Sequence, residues 1–396
     1  MKRTLLLIIG FLILFVPEIL RVYFIMPFPG SQQDNSIRVA YFLHEYLFWI
    51  RIIGIILIAG PILYYFRNSG FWKKAGLSIL LLLYALIFYA FNFRFVADRI
   101  FYQPQHTVLL PASTSKVDTN QLVIGIFMNG VAKAYPIEII GYHHQVQDAA
   151  GGTPVMVTYC TVCRTGRVLS PFVHGHIEKF RLVGMDHFNA MFEDQSTKSW
   201  WRQVTGEAIA GPSKGESLQE LPSAQLRLGA WIREYPNTLI LQPDTIFNKR
   251  YEDLQGFDSG TIKGSLEHRD SSSWAFKSWV VGINPNGHAK AYDWNELVNV
   301  KIINDSVGNI PVVLVLEDDG ASFHVWNRFL NGKNLQFEWD AQTKTIRDTE
   351  THSSWSWSGT CIDGPLKDSK LIPIQSSQEF WHSWRTFHPT TSRYKV

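Results

Sequence analysis

Cys160-Thr161-Val162-Cys163 is the stretch of this sequence where two soft, nucleophilic side chains stand close enough to act together. Two intervening residues let both sulfurs face one point, and Gly166 allows a sharp turn just after them. Thiolates on such a knuckle suit zinc or copper, with histidine completing the shell. His143 stands ahead of the apolar run that ends in Cys160, and His187 follows in Gly184-Met185-Asp186-His187. The candidate metal ligands are therefore Cys160, Cys163, His143 and His187, with Met185 and Asp186 as further options. The same pair also reads as a redox dithiol whose thiolate is favoured by the charge of Arg164, or as a plain structural disulfide. A thioredoxin-type pair opens a helix, whereas Arg164-Thr165-Gly166 continues as a turn. Covalent haem is not expected, because Arg164 and not histidine follows the second cysteine.

Other reactive side chains carry less. Cys361 has no partner nearby in sequence and reads as a buried free thiol. Gly211-Pro212-Ser213-Lys214-Gly215 matches the G-x-S-x-G nucleophile elbow, but Pro212 spoils the strand that an elbow needs. His174 and His176 fall in a hairpin loop and read as solvated.

The elements that must position these residues begin with a membrane region, residues 1–96. Three apolar runs, about 5–26, 47–66 and 75–93, are each near the length of a bilayer crossing. Glu18 and Arg21 interrupt the first, which lacks a small-residue cleavage site and so reads as an uncleaved helix. Lys2, Arg3 and the loop Arg67 to Lys74 are basic, while the loop from Pro27 to Tyr46 sets Arg38 against Asp34 and Glu45. The positive-inside rule then puts the N-terminus in the cytoplasm and everything after about residue 96 outside it. The net charge of +3 comes without a Lys/Arg block in the later part, so nucleic-acid binding is not expected. The expected partners are the lipid bilayer and an unidentified membrane complex.

Self-comparison divides the remainder. Ile124-Gly125-Ile126, Asn129-Gly130, Ala132 to Tyr135, Asp148 and Pro154-Val155 return 157 residues later as Val281-Gly282-Ile283, Asn286-Gly287, Ala289 to Tyr292, Asp305 and Pro311-Val312. Gly211-Pro212, Trp231 and Thr238 return 153 residues later as Gly364-Pro365, Trp384 and Thr391. The reading is a linker at 97–121, a repeat unit at 122–242, a connecting segment at 243–278 and a second unit at 279–396. Each unit opens with a strand, an Asn-Gly turn and a return strand, Val123 to Phe127 and Val131 to Tyr135 in the first. A short helix (136–142) and an apolar strand (154–159) follow, and an amphipathic helix closes each unit, 223–235 and 377–387. The expected fold class is α+β and β-rich, two tandem homologous units after three N-terminal transmembrane helices. Residues shared by both copies concern the fold; residues in one copy are candidates for chemistry. Cys160 and Cys163 fall opposite Glu317 and Gly320, and His143 opposite Val300, so the site is expected in the first copy only.

The motifs Asn129-Gly-x-Ala-x-Ala-Tyr-Pro136, His143, Gly151-Gly-Thr-Pro-Val to Cys163, Ser199-x-Trp201 and Thr205-Gly-Glu-Ala to Pro212 together resemble the DUF3179 family. That family is bacterial and archaeal, and its name marks an unassigned function. The resemblance covers about residues 100 to 396 and implies that the duplication belongs to the family. The family's Gly after the second cysteine is Arg164 here, which bears on how closely the backbone can approach a ligand. Together these readings predict a multi-pass protein of the bacterial inner membrane with an extracytoplasmic, periplasmic C-terminal part. Its first repeat is expected to bind copper or zinc. The alternatives are a thiol–disulfide oxidoreductase using Cys160 and Cys163, and a non-catalytic scaffold in a membrane complex.

Overall fold

The computed structural model describes residues 1–32, 36–340 and 342–395; Asp34, counted in the charge of its loop, and Val396 lie outside them. The chain makes two compact units. Unit 1 is Met1–Tyr102 with Glu178–Arg202 and Glu207–Ser217, and unit 2 is Gln103–Ile177, Gln203–Gly206 and Leu218–Val396. The division is not linear: most of 178–217 belongs with the N-terminal helices.

In unit 1, α1 (Lys2–Ile25), α2 (Ile37–Asn68) and α3 (Phe71–Tyr89) are long and apolar enough to cross a membrane, and a π-helical turn, Ala90–Arg94, prolongs α3. Large apolar side chains such as Ile8, Leu12, Ile55, Ile56 and Leu82 point outward, as helices facing lipid require. Helix α2 begins at Ile37, well before the apolar run at 47. Its early turns are polar, with Arg38, His44 and Glu45, so hydropathy alone misses them. Ile37 and Ala40 nonetheless bury themselves against Val183, Met191, Trp200 and Ala210. Those four lie on an antiparallel sheet ordered Ala208–Ala210, Trp200–Arg202, Asn189–Asp194, Phe180–Asp186.

In unit 2, strands Leu122–Met128 and Val131–Pro136 pair antiparallel across Asn129 (φ 48) and Gly130 (φ 80). Positive φ at both turn residues is what a tight hairpin wants, and Asn-Gly supplies it. This hairpin is the centre of a five-stranded sheet, with Ala224–Arg227 on one side and Leu239–Leu241, then Leu109–Pro111, on the other. Helix Ile137–His143 leads to a three-stranded sheet of Gln145–Ala150, Thr153–Cys160 and Thr165–Leu169. Lys133 Nζ and Tyr135 OH each donate to Asp148 at 2.8 Å and tie the two sheets together. From Trp279 onward comes a sheet ordered Ser376–Phe380, Trp279–Ile283, Lys290–Asp293, Ser392–Arg393. Helix Trp294–Val300 and strands Ile302–Val307, Ile310–Leu316 and Phe323–Asn327 follow. Here Lys290 and Tyr292 reach Asp305 at 2.5 and 2.9 Å.

The two closing segments differ from the sequence expectation. Residues 223–235 are not one helix: Ala224–Arg227 is a strand on Leu122–Gly125, and only Leu228–Glu234 is helical. Likewise Ser376–Phe380 is a strand beside Trp279–Ile283, followed by helix Trp381–Phe387. An open sheet edge offered these residues ladder hydrogen bonds, and that outweighed helical periodicity. The 97–121 linker also has structure, since Leu109–Pro111 completes a sheet edge.

Gly125 and Gly282 have no room for a Cβ, because the rings of Trp231 and Trp384 lie directly on them. Gly125→Ala must push Trp231 aside, at a cost of about 1–3 kcal/mol for overpacking. The expected outcome is a lower urea midpoint for the full chain, and an unchanged midpoint would contradict this close approach.

Candidate functional site

Strand Thr153–Cys160 is the middle of its sheet, and Cys160 ends it opposite Thr165. Between them Thr161 to Arg164 close a turn in which Arg164 N donates to Thr161 O at 3.3 Å. Cys160 and Cys163 are both fully buried, and neither is in a disulfide. Their side chains are hydrogen-bonded to each other. The spacing has therefore brought both sulfurs to one point.

Arg164 occupies a left-handed backbone position, φ 55, that glycine would adopt without strain. Its guanidinium explains how the strain is held. It donates to Gln378 Oε1 (2.8 Å), Phe257 O (3.0 Å) and Asp258 O (3.2 Å), and it lies 3.8 Å over the Trp279 ring. The side chain thus points away from the thiols into a buried cage.

The surroundings of the thiols come largely from residues far along the chain. Phe380 N donates to Cys163 O at 3.0 Å, and His382 Nε2 donates to Val162 O at 3.3 Å. Ser383 hydrogen-bonds to Cys163 and donates to Glu379 Oε2 at 3.2 Å. Ser377 Oγ donates to Glu379 Oε1 at 2.8 Å, and Arg167 completes an ion pair with that carboxylate. Lys277, also buried, brings its charge close to both thiols. Burial pushes the Cys163 thiol well up, and Cys160 and Glu379 add to this while the Ser383 hydroxyl opposes it. The thiol is therefore protonated at neutral pH and is no ready nucleophile.

Sequence reasoning missed Glu379, His382, Ser383 and Lys277. The signal was available for three of them. Leu226, Gly229 and Ala230 stand 153 residues earlier, so the three polar side chains do not recur at that offset.

The histidines are placed otherwise. His143 is fully buried among Tyr142, Phe247 and Tyr251, and its Nε2 lies 2.7 Å from the Tyr251 hydroxyl. His187 belongs to unit 1, where its Nδ1 lies 2.6 Å from Asp186 Oδ1. Asp186 is held in turn by Arg202 at 2.6 Å, and Met185 is a buried strand residue. Among the described residues, no three His, Cys, Asp or Glu side chains converge as a metal-holding group. Cys361 is buried and free, its Sγ 3.4 Å from Asp363 O. The turn at Gly211 is not a nucleophile elbow, because Ser213 N donates to Ser199 Oγ at 2.9 Å between two strand-linking turns. His174 and His176 are exposed at a small hairpin.

The DUF3179 family, described as a protein of unknown function, matches residues 104–391. That is most of the chain, and the chain belongs to this family. No curated protein and no solved structure matches it.

Two measurements follow from burial. Iodoacetamide at pH 8 should modify the cysteines of the native protein slowly, and all three should react promptly in guanidinium. Fast loss of Cys160 or Cys163 in the native state would contradict the packing. Burial also holds His144 down to about 4 and His382 down to about 3. The unfolded chain protonates these rings near pH 6.5 and the folded chain does not, so unfolding takes up protons below that pH. Their contribution to stability is present above about pH 6.5 and is lost as pH falls toward 4. The melting temperature should fall over that window, and less steeply in His144→Asn; equal slopes would show that His144 does not titrate this way.

Proposed function

We propose that this DUF3179 protein is membrane-anchored and that its Cys160–Cys163 turn holds a soft metal ion, copper(I) ahead of zinc. One observation carries the reading: two thiols meet in a fully buried turn. Thiolates select copper(I) or zinc. A structural zinc site takes four ligands, whereas copper(I) is satisfied by two sulfurs, and two are what converge here. Binding expels the thiol protons and leaves one net negative charge on a bis-thiolate copper(I) centre. Lys277, close to both sulfurs, supplies the compensating positive charge. His143 joins the shell only by giving up Tyr251.

The same contact favours a second reading. Two touching thiols can form a disulfide, giving up two protons and two electrons to a partner protein's disulfide, which becomes two thiols. Such exchange needs the turn to open, because both sulfurs are sealed.

In either reading the chain is one unit used twice, with chemistry kept in the first copy. Supporting this, Lys133 and Tyr135 on Asp148 recur as Lys290 and Tyr292 on Asp305, and Trp231 on Thr238 recurs as Trp384 on Thr391, both at 2.8 Å. The helices cross the membrane three times, and the charge pattern of their loops favours an extracytoplasmic C-terminal part.

The test is metal content and thiol count on the full-length protein, purified in detergent under reducing conditions without chelator and then loaded with copper(I). About one copper per chain is expected, with loss of binding in both Cys160→Ser and Cys163→Ser. Unchanged copper in either variant would sink the metal reading. Absence of copper from the loaded protein, together with a Cys160–Cys163 disulfide in protein purified without reductant, would favour the second.

A further inference from the structure

Unit 1 contains a buried ionic cluster that the thiol site does not use. Glu18 of α1 is fully buried. Arg51 Nε donates to its Oε1 at 2.6 Å, and Asn92 Nδ2 donates to its Oε2 at 3.2 Å. Asn92 lies in the π-helical turn and is the hub of the cluster, since its Oδ1 also accepts from Arg51 (2.8 Å) and Arg21 (3.1 Å). In that turn Phe95 N bonds to Ala90 O, while Phe91 O accepts from Arg21 at 2.8 Å. π-Helical turns of this kind concentrate at functional sites.

Among the described residues no carboxylate hydrogen-bonds Arg21. The charged groups facing it are Glu18, Arg51 and Arg181: one carboxylate and two further guanidiniums. Arg51 takes the short bond to that carboxylate, and Arg181 is paired with Glu193 at 2.8 Å and with Asp98 at 3.5 Å. Among the described residues Arg21 donates only to the neutral acceptors Phe91 O and Asn92 Oδ1, and its Nε is buried with no partner. A guanidinium held only by neutral acceptors keeps the capacity to bind an anion.

A cleft opens beside it, lined by Arg21, Arg181 and His44 and by the apolar Val22, Phe95 and Trp200. Its inner volume is about 30 Å³, room for one oxygen of an anion and not for a whole head group. Arg21 stands four residues before the end of α1, about 6 Å along the axis at 1.5 Å per residue, which is head-group depth and not mid-bilayer.

From these we infer that Arg21 binds the phosphate of a membrane phospholipid, one phosphate oxygen entering the cleft. Arg21's planar fork is suited to phosphate. Arg181 and His44 form the rim, and the glycerol and chains stay outside among the helix side chains.

The test uses full-length protein reconstituted with phosphatidylglycerol, extracted into detergent and read by native mass spectrometry. The wild-type protein is expected to retain the lipid as an adduct. Arg21→Gln should lower the retained fraction about tenfold, and Arg21→Lys, which keeps the charge but loses the fork, less severely. Arg21→Lys also guards against a folding failure of the neutral variant. Equal retention by the wild type and whichever variant folds overturns the site, as does a wild type that retains no lipid. A third arm adds inorganic phosphate. If it displaces the adduct and raises the melting temperature as much as the phospholipid does, the source is free phosphate and the lipid assignment falls.

Discussion

Arg167 and Glu379 are both buried and paired, and a charge so buried is costly when its partner is removed. Arg167 lies on the strand that leaves the cysteine turn, and Glu379 on a strand near the end of the chain. Removing one partner of such a pair typically costs about 3–5 kcal/mol, so the pair fixes where Ser376–Phe387 must lie. That segment then delivers Phe380 N, His382 and Ser383 to the turn. The seal over the thiols thus depends on an ion pair that bridges more than two hundred residues of sequence.

What was legible in the sequence was local. Asn129-Gly130 announced a hairpin because only a few residue types accept left-handed backbone twice in succession. The three apolar runs announced their helices, yet α2 reaches back to Ile37, where a sheet and not lipid covers the apolar residues. The closing segments were misjudged because a short stretch such as Ala224 to Arg227 satisfies both periods, and the vacant edge beside Val123 decided between them. Cys160 and Cys163 were legible as a pair, since two residues of spacing leave little choice. Their neighbours were not, because Glu379 and Ser383 meet Cys163 through tertiary folding alone.

Arg164 illustrates how a long side chain is held at a left-handed backbone position. A left-handed arginine costs about 1–2 kcal/mol of backbone energy relative to a relaxed conformation. Three hydrogen bonds and a ring face hold its head group, and these offset the strain. The positive charge expected near the thiols is supplied by Lys277 instead.

The unit boundaries impose an order on synthesis. The chain leaves unit 1 at Tyr102, returns at Glu178, and leaves it finally after Ser217. On the ribosome, α1 and α2 therefore emerge long before the strands that cover Ile25, Ile37 and Ala40. The thiol turn waits longer still, since its cover is made last. A nascent chain stalled before residue 376 would present reduced, uncovered cysteines to its surroundings. Between translating Cys163 and translating Ser383 the two thiols lack the cover that the closing segment provides.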